Sequence, residues 1–122
     1  IDPVQALEML IDLGVQRILT SGQRQTAWEG RELIAAIRRQ AEGRIIIMAG
    51  GGVDETNAAE LVRETGVSEL HVRGTMPWRE VMNFHDEPVP FRSNLSADET
   101  VRFVTDPVRI GAIRAAAEIG TK

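Results

Sequence analysis

Three short apolar runs divide the chain, and each ends close to a glycine. The most continuous is residues 45–49, which shows no alternation of apolar and polar positions and is followed by Gly50, Gly51 and Gly52. An unbroken, largely β-branched run of this length predicts a strand buried on both faces, as in a parallel sheet covered by helices. The other two runs, residues 15–20 and 67–72, predict two further strands of the same sheet.

Helical patterns precede, separate and follow these strands. Asp2 and Asp106 each stand before a proline, which is typical of an N-cap followed by the first helical residue. Thr26 with Glu29 forms a capping-box pattern, and Asp54 predicts the start of another helix. The predicted order is therefore one helix followed by three strand–helix units. Short connections and right-handed crossovers make such strands parallel and adjacent.

The regular pattern is lost between residues 75 and 100. Pro77, Pro88 and Pro90 interrupt this segment, which is long for a connection inside a compact domain and is therefore expected to be functional or mobile. It is interpreted as a lid, as a partner surface or as a simple cover over one end of the fold. Aromatic residues among the prolines indicate packing against another subunit, so a homo-oligomer is expected. These residues are Trp78, Phe84 and Phe91.

The predicted α/β order fits two architectures. Three parallel strands would leave two unpaired edges, and a TIM (β/α)₈ barrel needs about 250 residues, so the 122 residues have the size and order of its second half. The alternative is a doubly wound open sheet, although the spaced GxGxxG pattern of dinucleotide binding is missing. Because the chain begins at a helix start without methionine, residues 1–122 are expected to be the C-terminal part of one domain whose N-terminal part is missing.

Composition narrows the class of protein and of partner. The hydrophobic fraction of 43% and the charged fraction of 26% are typical of a soluble globular protein. A net charge of −4 argues against a nucleic-acid or acidic-membrane surface, and no apolar run is long enough to span a membrane. The absence of cysteine excludes disulfides and thiolate sites within this sequence and favours a cytoplasmic location.

Several blocks together resemble the CutC family, whose members are usually described as copper-homeostasis proteins. The blocks are residues 18–22 (ILTSG), residues 45–53 (IIIMAGGGV), Asn57, residues 69–71 (ELH) and the tail with residues 82–84 and 101–108. The resemblance implies a TIM barrel in which this chain supplies about strands six to eight, and it implies a link to copper. After His71 this chain has Val72-Arg73-Gly74-Thr75 in place of the family's small Gly-Ser-Ala type of turn, and it lacks the cysteines of some members.

On the barrel interpretation, the functional site lies at the C-terminal ends of the strands, and phosphate groups often bind at the loops after strands seven and eight. These loops would be Gly50-Gly51-Gly52 and Arg73-Gly74-Thr75. Glycine lets a ligand approach the backbone N–H groups, and Arg73 adds positive charge. We therefore predict a phosphate-binding loop for a small anionic ligand. The alternative is that the glycines only form a tight turn.

Four further positions fall at the same predicted barrel mouth. Thr20, Ser21 and Gly22 end the first strand, where they either line the mouth or stabilise their own loop. His71 alternates with Leu70 and Val72 along its strand and therefore points into the barrel. It is a candidate acid/base or metal ligand, and the alternative is a hydrogen-bonded core histidine.

Candidate copper ligands are His71, Met76, Met82 and His85, because thioether and imidazole donors suit Cu(I). No recognisable ligand spacing links them, and Met48 is assigned to the core. The first functional hypothesis is a CutC-like copper-homeostasis protein with a small-ligand or anion site at the barrel mouth. The alternative is a TIM-barrel enzyme acting on a small phosphorylated metabolite. A third possibility is that the chain does not function alone, because three strands cannot enclose a barrel core.

Overall fold

The computed structural model describes residues 2–79 and 101–121, which form four helices and five strands. In chain order these are α1 (Pro3–Asp12), β1 (Arg17–Thr20), α2 (Arg31–Ala41), β2 (Ile46–Gly50), α3 (Ala58–Thr65), β3 (Glu69–His71), β4 (Thr75–Arg79), β5 (Val101–Thr105) and α4 (Pro107–Gly120).

The first three strands form one parallel sheet in the order β1-β2-β3. Thr20 lies beside Ala49, and Gly50 lies beside His71, so the three strands end at the same edge. The predicted parallel, adjacent arrangement is confirmed. Helices α1, α2 and α3 contribute to one core against this sheet. Its members include Leu7, Ile34, Ile37, Ile45, Ile47, Ala49 and Leu61.

Only one face of this sheet is covered in the described part of the chain. Ile47 and Ala49 point into the core and are 4% and 0% exposed, whereas Ile46 is 37% exposed and Leu19 is 55% exposed. The prediction that residues 45–49 are buried on both faces is therefore wrong for the described residues, because the helices pack on one face alone. We call the other face, which carries Leu19, Ile46, Met48 and His71, the open face. The three strands do not close into a barrel.

The two Asp-Pro helix starts are confirmed. The Asp2 carboxylate accepts a hydrogen bond from Val4 N at 2.9 Å, and the Asp106 carboxylate accepts one from Val108 N at 3.0 Å. In both helices the proline stands in the first turn, where its missing N–H costs no intrahelical hydrogen bond.

The other two helices begin later than predicted. The Thr26 hydroxyl accepts from Glu29 N at 3.2 Å, but this contact forms a turn that precedes α2, which starts only at Arg31. Similarly, Asp54 opens a turn that leads to the N-cap of α3 at Asn57. Capping contacts also form in isolated turns, which is why the sequence pattern placed both starts too early.

The segment predicted to be irregular begins with a strand. β4 pairs with β5 in an antiparallel ribbon in which Met76 lies opposite Val104. The ribbon joins the body where Asp106 N donates to Gly74 O at 2.9 Å. Pairing across more than twenty intervening residues leaves no local sequence signal. The rest of the predicted lid or partner segment, including Met82 and His85, lies outside the described residues.

Within the residues described, no helix combines the length and the apolar character that a membrane crossing requires.

One ion pair ties α1 to the C-terminal end of α2 and predicts a defined acid sensitivity. Arg44 donates to both Glu8 carboxylate oxygens at 2.8 and 3.0 Å, and Gln40 donates to one of them at 2.9 Å. Hydrogen bonds from Arg44 and then Gln40 lower the pKa of Glu8 from 4.5 to about 2.

Because the folded-state pKa is depressed, the stabilisation by Glu8 is present above pH 4.5 and is lost as the pH falls towards 2. We expect Glu8→Gln to be less stable than the wild type at pH 7 and nearly as stable at pH 2. Urea unfolding of both proteins across this range measures the difference. A difference in unfolding free energy that stays constant with pH would contradict this assignment.

Candidate functional site

The C-terminal edge of the parallel sheet brings the predicted loops together. Thr20, Gly50 and His71 are the last residues of β1, β2 and β3. The loops after these strands therefore leave the same edge. A β-carbon added at Gly51 would lie 3.4 Å from the Ser21 β-carbon, which shows that the first two loops are in contact.

The turn after β2 has a backbone that suits glycine. Gly51 and Gly52 have φ values of +113° and +67°, in the region that residues with side chains rarely adopt. The Gly51 carbonyl accepts a hydrogen bond from Ala27 N at 2.9 Å. The Gly52 carbonyl accepts one from Asn57 Nδ2, also at 2.9 Å. Two consecutive peptide groups of this turn are thus held by their carbonyl oxygens.

The N–H groups of the same two peptides belong to Gly52 and Val53. No cis peptide occurs in the described chain, so each N–H points away from the carbonyl of its own peptide. These N–H groups consequently point away from Ala27 and Asn57, and neither donates to an acceptor among the described residues. They are two adjacent donors at the sheet edge, which is the arrangement that backbone anion sites use.

A polar cluster follows the turn in the chain and does not contact Gly51 or Gly52. The Thr56 hydroxyl, which donates to Asp54, is the main cause that holds the pKa of the Asp54 carboxyl below its ordinary value. Arg109 in the first turn of α4 contacts Glu55 at 3.1 Å and donates to the Thr75 carbonyl at 2.5 Å. Arg109 therefore connects the loop after β2 with the start of β4.

The loop after β1 uses its polar groups mainly within itself. Gly22 N donates to the Thr20 hydroxyl at 2.9 Å, and the Ser21 hydroxyl donates to Arg24 O at 2.6 Å. Gly22 is buried against Gly30, and its N–H is already used by the Thr20 hydroxyl. These contacts support the loop-stabilising alternative for Gly22, while the Thr20 hydroxyl keeps a proton to donate and the Ser21 oxygen can still accept.

His71 lies on the open face. Leu70 and Val72 pack against the core, whereas His71 is exposed and makes no hydrogen bond with a described residue. A β-carbon at Gly50 would lie 3.0 Å from the His71 β-carbon and 2.6 Å from Leu19 Cδ1. His71 therefore lies on the opposite face from Leu70 and Val72, as the alternation along the strand predicts, and its pointing into a barrel stays a prediction. A side chain at Gly50 would therefore require Leu19 and His71 to shift.

The open face also carries an ion pair that the sequence pattern did not indicate. Arg17 on β1 reaches across β2 and donates to both Glu69 oxygens on β3, at 2.6 and 2.8 Å. The Arg17 hydrogen bonds hold the pKa of Glu69 below its ordinary value. This pair lies nearer the N-terminal ends of the strands than His71 does, and it connects the two outer strands of the sheet.

In the loop after β3, Arg73 and Gly74 have different surroundings. Arg73 is exposed, so its charge faces solvent. Gly74 is buried, and a β-carbon there would lie 2.0 Å from Ile110 Cδ1, so this glycine serves the packing of α4. Met76 lies in β4, where it is exposed.

The described residues do not assemble a metal cluster. Across residues 2–79 and 101–121, no group of three or more His, Cys, Asp or Glu side chains is placed to hold a metal ion. Of the four candidate copper ligands, His71 and Met76 lie on different strands, and Met82 and His85 fall outside the described residues.

Two residues of this site escaped the sequence-based interpretation. Asn57 entered only through its place in a motif, although its spacing from Asp54 is typical of a side chain that folds back on a turn. Arg109 follows Thr75 by 34 residues, and no local pattern connects them.

Comparison with known proteins assigns the chain to a family. The family model described as the CutC family matches residues 1–76. A CutC family protein of Bacteroides thetaiotaomicron is 43% identical over 109 residues, covering 89% of this chain and 44% of that protein. One from Pasteurella multocida is also 43% identical, covering 96% and 47%.

A human relative and a solved structure agree with this match. The copper homeostasis protein cutC homolog of Homo sapiens is 36% identical over 117 residues, covering 96% of this chain and 43% of that protein. The crystal structure of CutC from Streptococcus agalactiae superposes with a TM-score of 0.54 at 36% identity, covering 57% of this chain and 34% of that one. The chain spans about half the length of the curated relatives it matches. It belongs to the CutC family.

Proposed function

We propose that this chain is part of a copper-homeostasis protein that binds a small anionic ligand at the C-terminal edge of its parallel sheet. The name of the human relative supports the cellular role. The observation that carries the site is the pair of N–H groups of Gly52 and Val53, which have no acceptor among residues 2–79 and 101–121 and whose peptides are held through their carbonyl oxygens.

The chemistry of the turn favours an anion of the phosphate type. Two adjacent N–H donors match two oxygens of a tetrahedral anion, and glycine leaves the backbone accessible. Arg73 follows β3 at the same edge and adds a positive charge that can contact a third oxygen. Thr20 and Ser21 border the turn and offer hydroxyl groups to the same ligand.

We further propose that the sheet is the C-terminal part of a TIM barrel, about strands six to eight. Parallel strands with helices on one face only, and an open face that carries the exposed side chains of Leu19 and Ile46, are what a segment of a barrel wall presents. The relatives are about twice as long as this chain, which leaves room for the remaining strands in proteins of that length.

A second candidate function is catalysis on a small phosphorylated metabolite. The exposed His71 favours it, because its imidazole stands at the end of β3 beside Gly50, one residue before the turn. A ligand with its phosphate on Gly52 and Val53 would place the rest of the molecule towards the open face. There His71 is available as a general acid or base.

Copper is part of the proposal because the human relative is named a copper homeostasis protein. Imidazole and thioether donors of the kind His71 and Met76 offer do suit Cu(I), but the two described candidates alone do not make a cluster.

We also propose that the protein is cytoplasmic and that it forms a homo-oligomer. Large apolar side chains are exposed on several elements, which favours burial against another protein surface, and the absence of cysteine fits a reducing compartment. The exposed side chains include Met9, Leu13, Leu19 and Phe103.

The anion site predicts that Gly52→Ala weakens binding of inorganic phosphate by about tenfold or more, the equivalent of one to two lost hydrogen bonds. The added methyl group would lie 3.2 Å from Thr26 Cγ2, and the positive φ disfavours alanine, so the turn should relax and redirect its N–H groups. Calorimetric titration of phosphate into both proteins measures the change.

Gly43→Ala is the matched control. Gly43 has φ +76° with no atom within 4 Å of the added carbon, and it precedes β2 at the opposite edge of the sheet. Its substitution carries a similar backbone penalty of about 1 kcal/mol without touching the site. Equal losses of phosphate affinity in the two variants, or no phosphate binding by the wild type, would contradict the proposed site.

A further inference from the structure

Both polar atoms of the Asn57 side-chain amide make hydrogen bonds. Its Oδ1 accepts from Asp54 N at 3.0 Å, and its Nδ2 donates to Gly52 O at 2.9 Å. This orientation of the amide is the one that satisfies both contacts, because a backbone N–H needs an oxygen and a carbonyl needs an N–H. The side chain therefore spans the turn from residue 52 to residue 57.

The peptide that Asn57 holds through the Gly52 carbonyl joins Gly52 to Val53. The peptide between Gly52 and Val53 follows a glycine at φ +67°, so the residue that precedes it resists rotation less than any other residue would. A rotation of this peptide by half a turn would present the Gly52 carbonyl where the Val53 N–H now points. A carbonyl oxygen in that place would repel an anion.

We propose that Asn57 is a positioning residue that selects the anion-binding orientation of the Gly52–Val53 peptide. This inference rests on the proposed anion site and explains how the free protein keeps the site ready. Asn57 does not touch the ligand. It acts through the Gly52 carbonyl, so the Val53 N–H is fixed on the opposite side of the peptide.

The substitution Asn57→Asp tests this role with little change in size. The carboxylate keeps an acceptor for Asp54 N but replaces the Nδ2 donor with an oxygen facing the Gly52 carbonyl. That oxygen repels the carbonyl and attracts the Val53 N–H, which favours the rotated peptide. We expect phosphate affinity to fall by about tenfold or more, because one donor is lost and an acceptor takes its place.

Asn57→Asp adds a negative charge, and removing the charge of the nearby Glu55 controls for its effect. The double variant Glu55→Gln/Asn57→Asp keeps the formal charge of the turn, and Glu55→Gln alone reports the cost of losing the Arg109 contact. Asn57→Ala removes both hydrogen bonds without adding charge. We expect the double variant to remain weak, Glu55→Gln to bind like the wild type, and Asn57→Ala to be weakened as well.

The experiment is a phosphate titration of all five proteins. Calorimetry measures the phosphate affinity, and the amide proton shift of Val53 reports whether its N–H contacts the phosphate. Thermal unfolding is recorded for each protein. The inference predicts a downfield Val53 shift in the wild type and in Glu55→Gln. It predicts loss of this shift in the three Asn57 variants, in proteins that remain folded.

Three outcomes overturn the inference. Unchanged phosphate affinity in Asn57→Asp would show that Asn57 does not position the peptide. Recovery of wild-type affinity in the double variant would show that charge alone caused the loss. Absence of phosphate binding by the wild type would overturn the proposed function together with the inference, so the two failures are distinguishable. Asn57→Ala keeps the test decisive if the aspartate variants do not fold.

Discussion

Gly30→Ala is expected to destabilise the fold by about 3 kcal/mol or more, at the upper end of overpacking penalties, because the added carbon meets the backbone of Ser21 and Gly22. It would lie 2.0 Å from the Ser21 carbonyl oxygen and 2.7 Å from Gly22 Cα. No side-chain rotation relieves a contact with backbone, so the loop after β1 must move away from the start of α2. Urea unfolding measures the loss.

The required property of Gly30 is its size and not its backbone conformation. Its φ is −92°, which any residue adopts, so the penalty comes from the close approach alone. Gly111→Ala is the control, because nothing lies within 4 Å of the carbon added there in the middle of α4. That variant should be as stable as the wild type or up to about 1 kcal/mol more stable. A Gly30→Ala protein of wild-type stability would contradict the described packing of this loop.

Leu61→Ala should cost about 2–5 kcal/mol of unfolding free energy, through lost burial and the cavity left behind. Leu61 is 0% exposed and lies at the centre of the core where α3 meets the sheet. The surrounding residues belong to different elements, so they cannot all move inward to fill the space. Chemical unfolding, with thermal melting as a second probe, tests this expectation.

Leu13→Ala serves as the comparison for the same chemical change. Leu13 follows α1 and is 76% exposed, so its truncation removes little buried surface and should change stability by less than about 0.5 kcal/mol. A loss of unfolding free energy at Leu61 that is no larger than the loss at Leu13 would contradict the described burial of these two residues.

The parallel sheet could be predicted because its signals are local. Continuous apolar runs, glycine turns and Asp-Pro starts lie within a few residues of the elements they define, and the structure confirms the strands and their order. The burial of each face could not be predicted in this way. Ile46 and Ile47 are the same residue type, and only the position of the helices decides that one is exposed and the other buried.

The misplaced helix starts have a related cause. Thr26 and Asp54 make the hydrogen bonds expected of caps, yet the chain makes one further turn before α2 and α3 begin. Local chemistry indicated a turn and could not state which turn continues as a helix. The β4–β5 ribbon was missed because its two strands are far apart in the sequence.

The candidate site was predictable as far as it consists of glycines at strand ends. Gly51 and Gly52 were identified as a place where backbone donors meet a ligand, and they remain the centre of the proposal. The groups that orient this turn come from elsewhere, since Ala27 and Asn57 hold its carbonyls. Which way a peptide points depends on such contacts, and a sequence pattern does not contain them.

A crystal structure of the protein grown with inorganic phosphate tests the central claim most directly. The account predicts phosphate oxygens within hydrogen-bond distance of Gly52 N and Val53 N, with Gly51 O still bonded to Ala27 N and Gly52 O to Asn57. Phosphate bound elsewhere on the molecule and absent from this turn would contradict it. A Gly52–Val53 peptide rotated so that its carbonyl takes the place of the Val53 N–H would also contradict it.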